Sequence, residues 1–401
     1  MTFIYRYICL LVLAIPLSCL MPMVNTDVWY VQYLFFLMSF YVGIFFLLFS
    51  KVNKSLSFFY LWTVFSAIVV ANQHPRALLC INQFSIAMLG VYFISLLDNR
   101  QVKILINFIV ALFILQSIMV ILQSFNLDPI FSKITEPESD DTVGLSGSHN
   151  QLGLFYAVSA PYILVTFPWM IMMSVYGIYA ATTMSAMAGM VAGVLVSLPL
   201  FKMTHVKYIA IISIALNLIF IYFLKFEKNF NDIVVQERFT LWKHNIIGIE
   251  DEFMVTEKDV VLDTGQNVIV TGKVTAKKWL GYGLGNFTRI SPFAQNTYRD
   301  KSTKHFYEHM HNDLLEVWFE MGRTGFIIII ICILNIIVLF FRSKKSPILI
   351  ASFGSFLAHL VTSFGIYTVH TAVSGMMLVI TLGLFFGEIR RQRDGAITVV
   401  V

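Results

Sequence analysis

The sequence predicts an all-α, polytopic membrane protein with about twelve transmembrane helices and one large outer loop. Hydrophobic residues make up 58% of its 401 residues and charged residues only 13%, a composition unlike that of a soluble domain. The apolar residues form runs close to the roughly 20 residues that cross a bilayer as a helix. A soluble core would instead interleave them with polar residues at a helical period.

The apolar runs are the predicted spans. They fall at roughly 4–22, 29–50, 56–72, 76–97, 104–124, 150–167, 169–183, 186–200, 207–224, 323–341, 347–365 and 368–387. The first run contains Arg6 followed by about fifteen apolar residues and superficially resembles a signal peptide. Because no small-residue cleavage site precedes a soluble domain there, and the next apolar run follows at once, we expect it to be retained as a span.

Lysine and arginine occur in alternate connectors, which orients the spans. Counted from a cytoplasmic N-terminus, the cytoplasmic connectors and tail hold Lys51, Lys54, Arg100, Lys103, Lys202, Lys207, Arg342, Lys344, Lys345, Arg390, Arg391 and Arg393. The opposite connectors carry almost none. The positive-inside rule therefore predicts two cytoplasmic termini and an even number of spans.

This topology divides the chain into three parts: spans one to nine over 1–224, a large outer loop over 225–322, and spans ten to twelve with a cytoplasmic tail over 323–401. The loop contains strand-like alternation at 259–270 and several aromatic residues, which favour a folded cap over disorder. All four cysteines, Cys9, Cys19, Cys80 and Cys332, lie in or beside apolar runs. We expect them to be buried, unbridged thiols.

Residues capable of chemistry concentrate at the end of the outer loop, in 305–325, just before the apolar run 326–331. Such a cluster at a membrane entrance is costly unless it has a function. A neutral imidazole, with a reference pKa of about 6.5, can accept a proton at neutral pH. His311 is therefore a candidate general base, and Asp313 or Glu316 is positioned to orient its ring. The alternative is an interfacial anchor at the start of a helix.

A metal site is a rival interpretation of the same stretch, since Glu308, His309, His311 and Asp313 are possible ligands. Spacings of one and two residues do not place side chains on one face of a helix. The stretch also lacks a His-Glu-x-x-His pattern or a cysteine pair. We therefore expect neither a metal nor another cofactor, and no nucleic-acid partner.

Arg238, just beyond the ninth predicted span, is the first candidate for binding a phosphate, because its planar guanidinium can bind phosphate through two hydrogen bonds. Ordinary solvation or snorkelling is the alternative. The glycines at 281, 283 and 285 lack the lysine-serine pair of a nucleotide loop and predict a tight turn. The stretch 144–150 either brings His149 and Asn150 to the site or is a flexible turn.

The pair His311-Asn312, the spacer 313–321 and the Gly322-Arg-Thr-Gly325 sequence before a span resemble the signature of the bacterial O-antigen ligase and O-antigen polymerase family. Three further stretches, 144–153, 238–242 and 278–287, are similar to other elements of that family in the same order. The resemblance covers most of the chain and is strong across roughly 236–331.

The resemblance implies that a glycan moves from undecaprenyl pyrophosphate to a hydroxyl acceptor on the periplasmic face of the bacterial inner membrane, without a metal or a nucleotide sugar. Lipid A core is the acceptor in a ligase, and another carrier-linked glycan is the acceptor in a polymerase, which is the alternative. The implied site residues are His311 and Asn312 (catalytic), Arg238, Arg289 and Arg76 (pyrophosphate contacts), and Asp313, His309, Gly322, Gly325 and Asn150 (supporting).

Two features depart from the family pattern. The family usually has a Ser-Arg pair at the start of the span after the central hairpin, but here Ser185 is followed by Ala186. Another basic residue, such as Arg76 or Arg289, would have to supply that charge. The stretch 250–273 is an insertion relative to the usual short spacer, and the sequence assigns it no role.

A lipid-linked sugar flippase is the alternative from another class of protein. Transporters usually place ionisable residues near the midplane of the bilayer, on broken or repeated helices. In this sequence the predicted spans are nearly free of charge, and the polar residues collect on their outer side. This distribution favours surface chemistry over translocation.

Overall fold

The structure, a computed structural model, is predominantly helical. It describes residues 54–70, 75–127, 142–146, 148–198, 204–227, 232–250, 253–261, 267–274, 278–288, 290–291, 309–366 and 372–395. Within these ranges the α-helices are α1 (Lys54–Phe65), α2 (Pro75–Ser95), α3 (Asn99–Ser124), α4 (His149–Thr166), α5 (Ile171–Ala180), α6 (Met184–Ser197), α7 (Thr204–Glu227), α8 (Asp232–Glu250), α9 (Asp313–Arg342), α10 (Pro347–Thr362) and α11 (Ala372–Arg393). A π-helical turn, Ser66–Val70, extends α1.

Each of the ten predicted apolar runs that fall within the described residues coincides with a helix, while the runs 4–22 and 29–50 lie outside them. Four helices in the described part of the chain are long and apolar enough to cross a membrane: Asn99–Ser124, His205–Tyr222, Asp313–Arg342 and Val373–Arg393. The structure is thus that of a helical, multi-pass membrane protein.

The run 169–183, predicted as a full span, is shorter than expected. It forms a short 3-10 turn, Pro168–Met170, followed by α5, which has ten residues. Ten helical residues rise about 15 Å, which is half of the roughly 30 Å thickness of the hydrocarbon core. Pro168 begins the 3-10 turn at the point where the preceding helix ends.

One element departs from the all-α prediction. Strands β1 (Phe253–Val261) and β2 (Asn267–Val274) form an antiparallel, two-stranded sheet in which Phe253 lies opposite Val274. The pairing shifts register between Val255 and Lys258. The alternation at 259–270 predicted strand structure there; its two ends, 259–261 and 267–270, lie in these strands, and 262–266 lie outside the described residues. The hairpin accounts for most of the stretch 250–273.

The described residues form two compact units, one within 90–230 and 340–401 and the other within 20–89 and 231–339. In the first unit α4 is buried on all sides from Leu152 to Leu164, as expected for the central helix of a bundle. Helices α6 and α10 approach each other through small residues. A methyl group added at Gly193 would lie 2.6 Å from the carbonyl oxygen of Gly354, a close packing typical of membrane helices.

Two glutamines of α3 hold the turn that precedes α4. The Gln123 side-chain oxygen accepts hydrogen bonds from the amides of Val143 (3.2 Å) and Gly144 (2.7 Å). The Gln116 oxygen accepts from the Leu145 amide at 3.1 Å. The turn is therefore fixed by hydrogen bonds, because its backbone groups find partners that water would otherwise supply.

A second polar cluster lies among α4, α10 and α11. The Tyr162 hydroxyl donates to Ser352 Oγ at 3.2 Å, and the hydroxyls of Ser355 and Thr381 are 2.8 Å apart. His359 lies one turn beyond Ser355 on α10 and is buried, and its ring nitrogens have no hydrogen-bond partner among the described residues.

Of the cysteines, Cys332 is buried and Cys80 half-buried, and neither forms a disulfide within the described ranges. Cys9 and Cys19 lie outside those ranges.

A buried ion pair closes the C-terminal end of α11. Arg391 Nη2 and Nε donate to Glu388 Oε2 at 2.9 and 3.1 Å, and Arg391 Nη1 donates to the carbonyl oxygen of Leu97 at 2.8 Å. Both side chains are buried. The guanidinium thus ties α11 to the connector between α2 and α3.

Replacing Arg391 by methionine should leave the Glu388 carboxylate buried without its partner cation. The expected cost is about 3 to 5 kcal/mol of stability, measured as a lower melting temperature of the detergent-solubilised protein. Arg390→Met is the matched control, because Arg390 is only half-buried, with 42% of its side-chain surface exposed, and lies 3.8 Å from the exposed carboxylate of Asp394. Equal melting temperatures of the two variants would contradict a structural role for the buried pair.

Candidate active site

Helix α9 is interrupted at Gly322, whose backbone angles are φ 68° and ψ −171°. The break falls between the predicted outer loop and the predicted tenth span. At this point the segment 278–283 takes over the hydrogen bonds that a continuous helix would make. The bonds are Tyr282 N to Phe319 O (3.1 Å), Gly283 N to Glu320 O (2.7 Å), Arg323 N to Lys278 O (3.0 Å) and Thr324 N to Trp279 O (3.3 Å).

Two glycines allow this insertion. Gly281 and Gly322 both have positive φ, 72° and 68°, a conformation that costs other residues free energy. A methyl group on Gly281 would meet the Gly322 amide, and one on Gly322 would lie 2.5 Å from the Gly281 amide. The two backbones therefore touch where neither can carry a side chain.

The glycine-rich turn uses its amides within the protein. Besides the two amides that bond to α9, the Leu284 amide donates to Ser66 Oγ at 3.2 Å, and the Phe287 amide donates to Glu320 Oε1 at 2.9 Å. Glu320 is buried, and its carboxylate is the acceptor for the Phe287 amide. The prediction of a tight turn is confirmed.

Asn312 begins α9. Its side-chain oxygen accepts from the Leu315 amide at 3.1 Å, and its carbonyl accepts from the Glu316 amide at 3.0 Å. This is the geometry of an N-cap, which supplies a partner to an otherwise unsatisfied helix amide. Both Asn312 and Asp313 are buried. The structure thus gives Asn312 a positioning contact, directly after the histidine.

His311 lies in a left-handed backbone conformation, with φ 51°. Such a conformation is uncommon outside glycine and clusters at functional sites. Its ring is half-buried. Its pKa is lowered from the usual 6.5 to about 4; burial is the largest cause, the neighbouring Arg238 and His309 also lower the pKa, and Glu316 has a smaller opposing effect. His311 is therefore neutral at pH 7.

Helix α8 brings Arg238 to His311. Trp242 Nε1 donates to the carbonyl oxygen of Met310 at 2.7 Å, which fixes this helix against the residue before His311. Arg238 lies four residues earlier, on the same face of α8, and is half-buried. The Arg-x-x-x-Trp spacing seen in the sequence thus has a structural explanation, since tryptophan anchors the helix and arginine presents its charge.

Glu316 holds the segment before His311. One carboxylate oxygen lies 3.2 Å from His309 Nδ1, and the other accepts from the Met310 amide at 3.0 Å. The sequence suggested Glu316 as a partner for His311, but its carboxylate contacts His309, and it acts on His311 through charge. Sequence analysis missed the His309–Glu316 pair and Glu320. The signal for the two carboxylates was their four-residue spacing, which puts them on one helical face.

The remaining candidates lie elsewhere or outside the described residues. Gly325 packs against Met321, and Trp62 Nε1 donates to the Met321 carbonyl at 3.4 Å. Asn150 lies in the first turn of α4, in the first unit. The Arg76 side chain and all of Arg289 fall outside the described residues.

The comparisons with known proteins give no further guidance. No family model matches the chain, and neither a curated protein nor a solved structure is significantly similar to it. Within the described ranges, no three histidine, cysteine or carboxylate side chains come together as metal ligands.

Gly322→Ala should destabilise the protein by about 2 to 5 kcal/mol, because a methyl group there adds both a positive-φ strain and a collision with the backbone. Thermal unfolding in detergent measures this loss. Gly395→Ala is the control, since Gly395 also has a positive φ, 79°, but a methyl group on it would meet nothing within 4 Å. A Gly322→Ala variant as stable as this control would show that the close approach is not tight.

Arg238→Gln should raise the pKa of His311, because it removes a nearby positive charge, whereas Arg238→Lys should keep the pKa low. NMR titration of the His311 ring measures this pKa.

In the wild type the unfolded chain binds a proton between about pH 6.5 and 4 that the folded chain does not, so stability should fall as the pH drops through this window. In Arg238→Gln the fall should begin at the same pH, which the unfolded chain sets, but it should be smaller and end at a higher pH, because the pKa of His311 in the folded chain is raised. Equal titrations in the two variants would place Arg238 too far away to act.

Proposed function

We propose that this protein is a glycosyltransferase of the O-antigen ligase type, which moves a glycan from undecaprenyl pyrophosphate to a hydroxyl of lipid A core. The observation that carries the proposal is the pairing of Arg238, an anion-binding group, with His311, a neutral imidazole in a strained backbone conformation. An anionic donor and a hydroxyl acceptor are the two partners that such a pair suits.

Arg238 is the residue that binds the pyrophosphate of the donor in this proposal. A guanidinium binds a pyrophosphate through paired, charge-assisted hydrogen bonds and stabilises the negative charge that develops as the pyrophosphate leaves. Pyrophosphate is a good leaving group once its charge is neutralised. Arg76 and Arg289 stay candidates for the second cation that two phosphates would favour.

His311 is the general base for the acceptor hydroxyl in this proposal. Its ring is neutral at pH 7 and can take the proton of an acceptor hydroxyl while the oxygen attacks the anomeric carbon and the bond from that carbon to the pyrophosphate oxygen breaks. A bound pyrophosphate also offsets the charge of Arg238. Because that charge lowers the His311 pKa, the base becomes stronger when the donor is present.

The distribution of charge along α9 favours chemistry at a membrane surface. Its acidic and basic residues before the C-terminal Arg342 are Asp313, Glu316, Glu320 and Arg323, all near its N-terminal end, and 324–341 is free of charge. A flippase would be expected to place such groups near the middle of its spans. In the proposed topology of twelve spans, this end of α9 faces the periplasm and the protein resides in the bacterial inner membrane.

His311→Gln should lower glycan transfer from a purified lipid-pyrophosphate donor to lipid A core by about 10² to 10⁴-fold, the usual contribution of a general base. Arg238→Met should raise the donor KM and lower the rate of transfer. Arg238→Lys should have a smaller effect, because lysine keeps the positive charge but lacks the planar pair of donors that a guanidinium offers a phosphate. His205→Gln, at an exposed histidine of α7, is the control and should transfer normally. Full transfer by His311→Gln would refute the mechanism.

A surface-polysaccharide gel from a deletion strain carrying these variants separates the candidate functions. Loss of every long glycan from lipid A core, with carrier-linked polymer accumulating, indicates a ligase. Core that bears a single repeat unit indicates a polymerase. Purified protein that moves labelled lipid across vesicles but transfers no sugar would instead support the flippase alternative.

A further inference from the structure

Basic residues from three separate segments lie at one end of the first unit. The segments are the α2–α3 connector with the start of α3, the α9–α10 connector with the last residue of α9, and the C-terminal end of α11. Together they carry a basic surface, which consists of Arg100, Lys103, Arg342, Lys344, Lys345, Arg390 and Arg393. All of these residues are exposed except Arg390, which is half-buried.

The last turn of α11 holds the three segments together through two consecutive residues. Arg391 Nη1 donates to the carbonyl oxygen of Leu97 in the α2–α3 connector at 2.8 Å. The Gln392 side chain accepts from the Lys344 amide at 3.1 Å and donates to the Lys344 carbonyl at 2.8 Å. Topology and helix dipoles explain why each segment is basic. The contacts of Arg391 and Gln392 go further, because they fix the segments beside one another.

The carboxylates at this end are already engaged. Glu388 is buried and paired with Arg391. Asp98 caps α3 by accepting from the Gln101 amide at 2.8 Å, and Asp394 lies 3.8 Å from Arg390 Nε. The other cations of the basic surface form no salt bridge among the described residues. The basic surface therefore keeps a net positive charge.

Large apolar side chains are exposed directly beside these charges. Phe341 precedes Arg342 at the end of α9 and has 68% of its surface exposed. Ile104 follows Lys103 on α3, and Phe108 lies one turn further along the same helix, each about half exposed. Cations at the end of a helix with apolar side chains next to them match a phospholipid, whose phosphate lies above its acyl chains.

We propose that the basic surface binds the headgroups of anionic phospholipids, and that the contacts of Arg391 and Gln392 assemble it. The arginines of this surface can bind a headgroup phosphate through two hydrogen bonds, and the lysines add positive charge. The exposed apolar residues favour a lipid over a soluble phosphate, because they offer a surface to the acyl chains. The inference does not depend on the proposed glycan transfer.

The test titrates phosphatidylglycerol into the full-length protein in detergent and measures bound lipid by native mass spectrometry. Phosphatidylcholine, which has no net charge, is the reference lipid. The wild type should bind phosphatidylglycerol more tightly, and the preference should shrink as the salt concentration rises. The double variant Lys344→Gln, Arg393→Gln should weaken phosphatidylglycerol binding by about fivefold for each charge removed.

Two further variants separate a built surface from charge alone. Gln392→Leu removes no charge but breaks both bonds to Lys344, so it should also weaken phosphatidylglycerol binding. Lys243→Gln removes an exposed lysine of α8, in the second unit, and should bind like the wild type.

Four results would overturn the inference. Wild-type binding by the double variant would show that the basic surface is not the site, and an equal loss in Lys243→Gln would remove its location. Wild-type binding by Gln392→Leu would show that the contacts do not assemble the surface. Displacement of the lipid by inorganic phosphate at equal concentration would make the partner a phosphate ion. Binding is measured without glycan transfer, so a failure of the transferase function would leave these results unchanged.

Discussion

In an unbroken α9 the amides of Arg323 and Thr324 would bond to the carbonyls of Phe319 and Glu320. At Gly322 those bonds open, and the segment 278–283 supplies a donor to each carbonyl and an acceptor to each amide. The helix is thus interrupted without losing a hydrogen bond, a condition that an irregular backbone in a membrane protein must meet. This exchange is the constraint on which the candidate site depends.

The exchange fixes the direction of the helical segment that begins at Asn312, and three side-chain contacts then hold the histidines in front of it. Glu320 anchors the turn after the glycines, Glu316 holds the segment 309–310, and Trp242 holds the Met310 carbonyl from α8. The left-handed conformation of His311 is stable because the backbone on both sides of it is tied down.

Much of this arrangement could be predicted from sequence because it depends on local patterns. Apolar runs located the helices, alternation at 259–270 located the strands, and the glycines of 281–285 located a turn. What could not be predicted depends on contacts between distant residues. The contact of Gly281 with Gly322 follows from the insertion, which the sequence pattern does not reveal. The pairing of Glu316 with His309 depends on the backbone conformation between them, including the positive φ of His311, which the sequence does not reveal either. The length of α5 was also missed, because an apolar run does not reveal where a helix stops.

The break at Gly322 also constrains how many residues can separate it from Asn312. An α-helix turns about 100° per residue, and Gly322 is pinned by its contact with Gly281. A deletion or insertion of one residue between Asn312 and Gly322 would therefore rotate Glu316 about the helix axis and away from His309. Substitutions in this spacer at positions other than Glu316 and Glu320 do not rotate the helix, so its length should tolerate less change than the composition of its remaining positions.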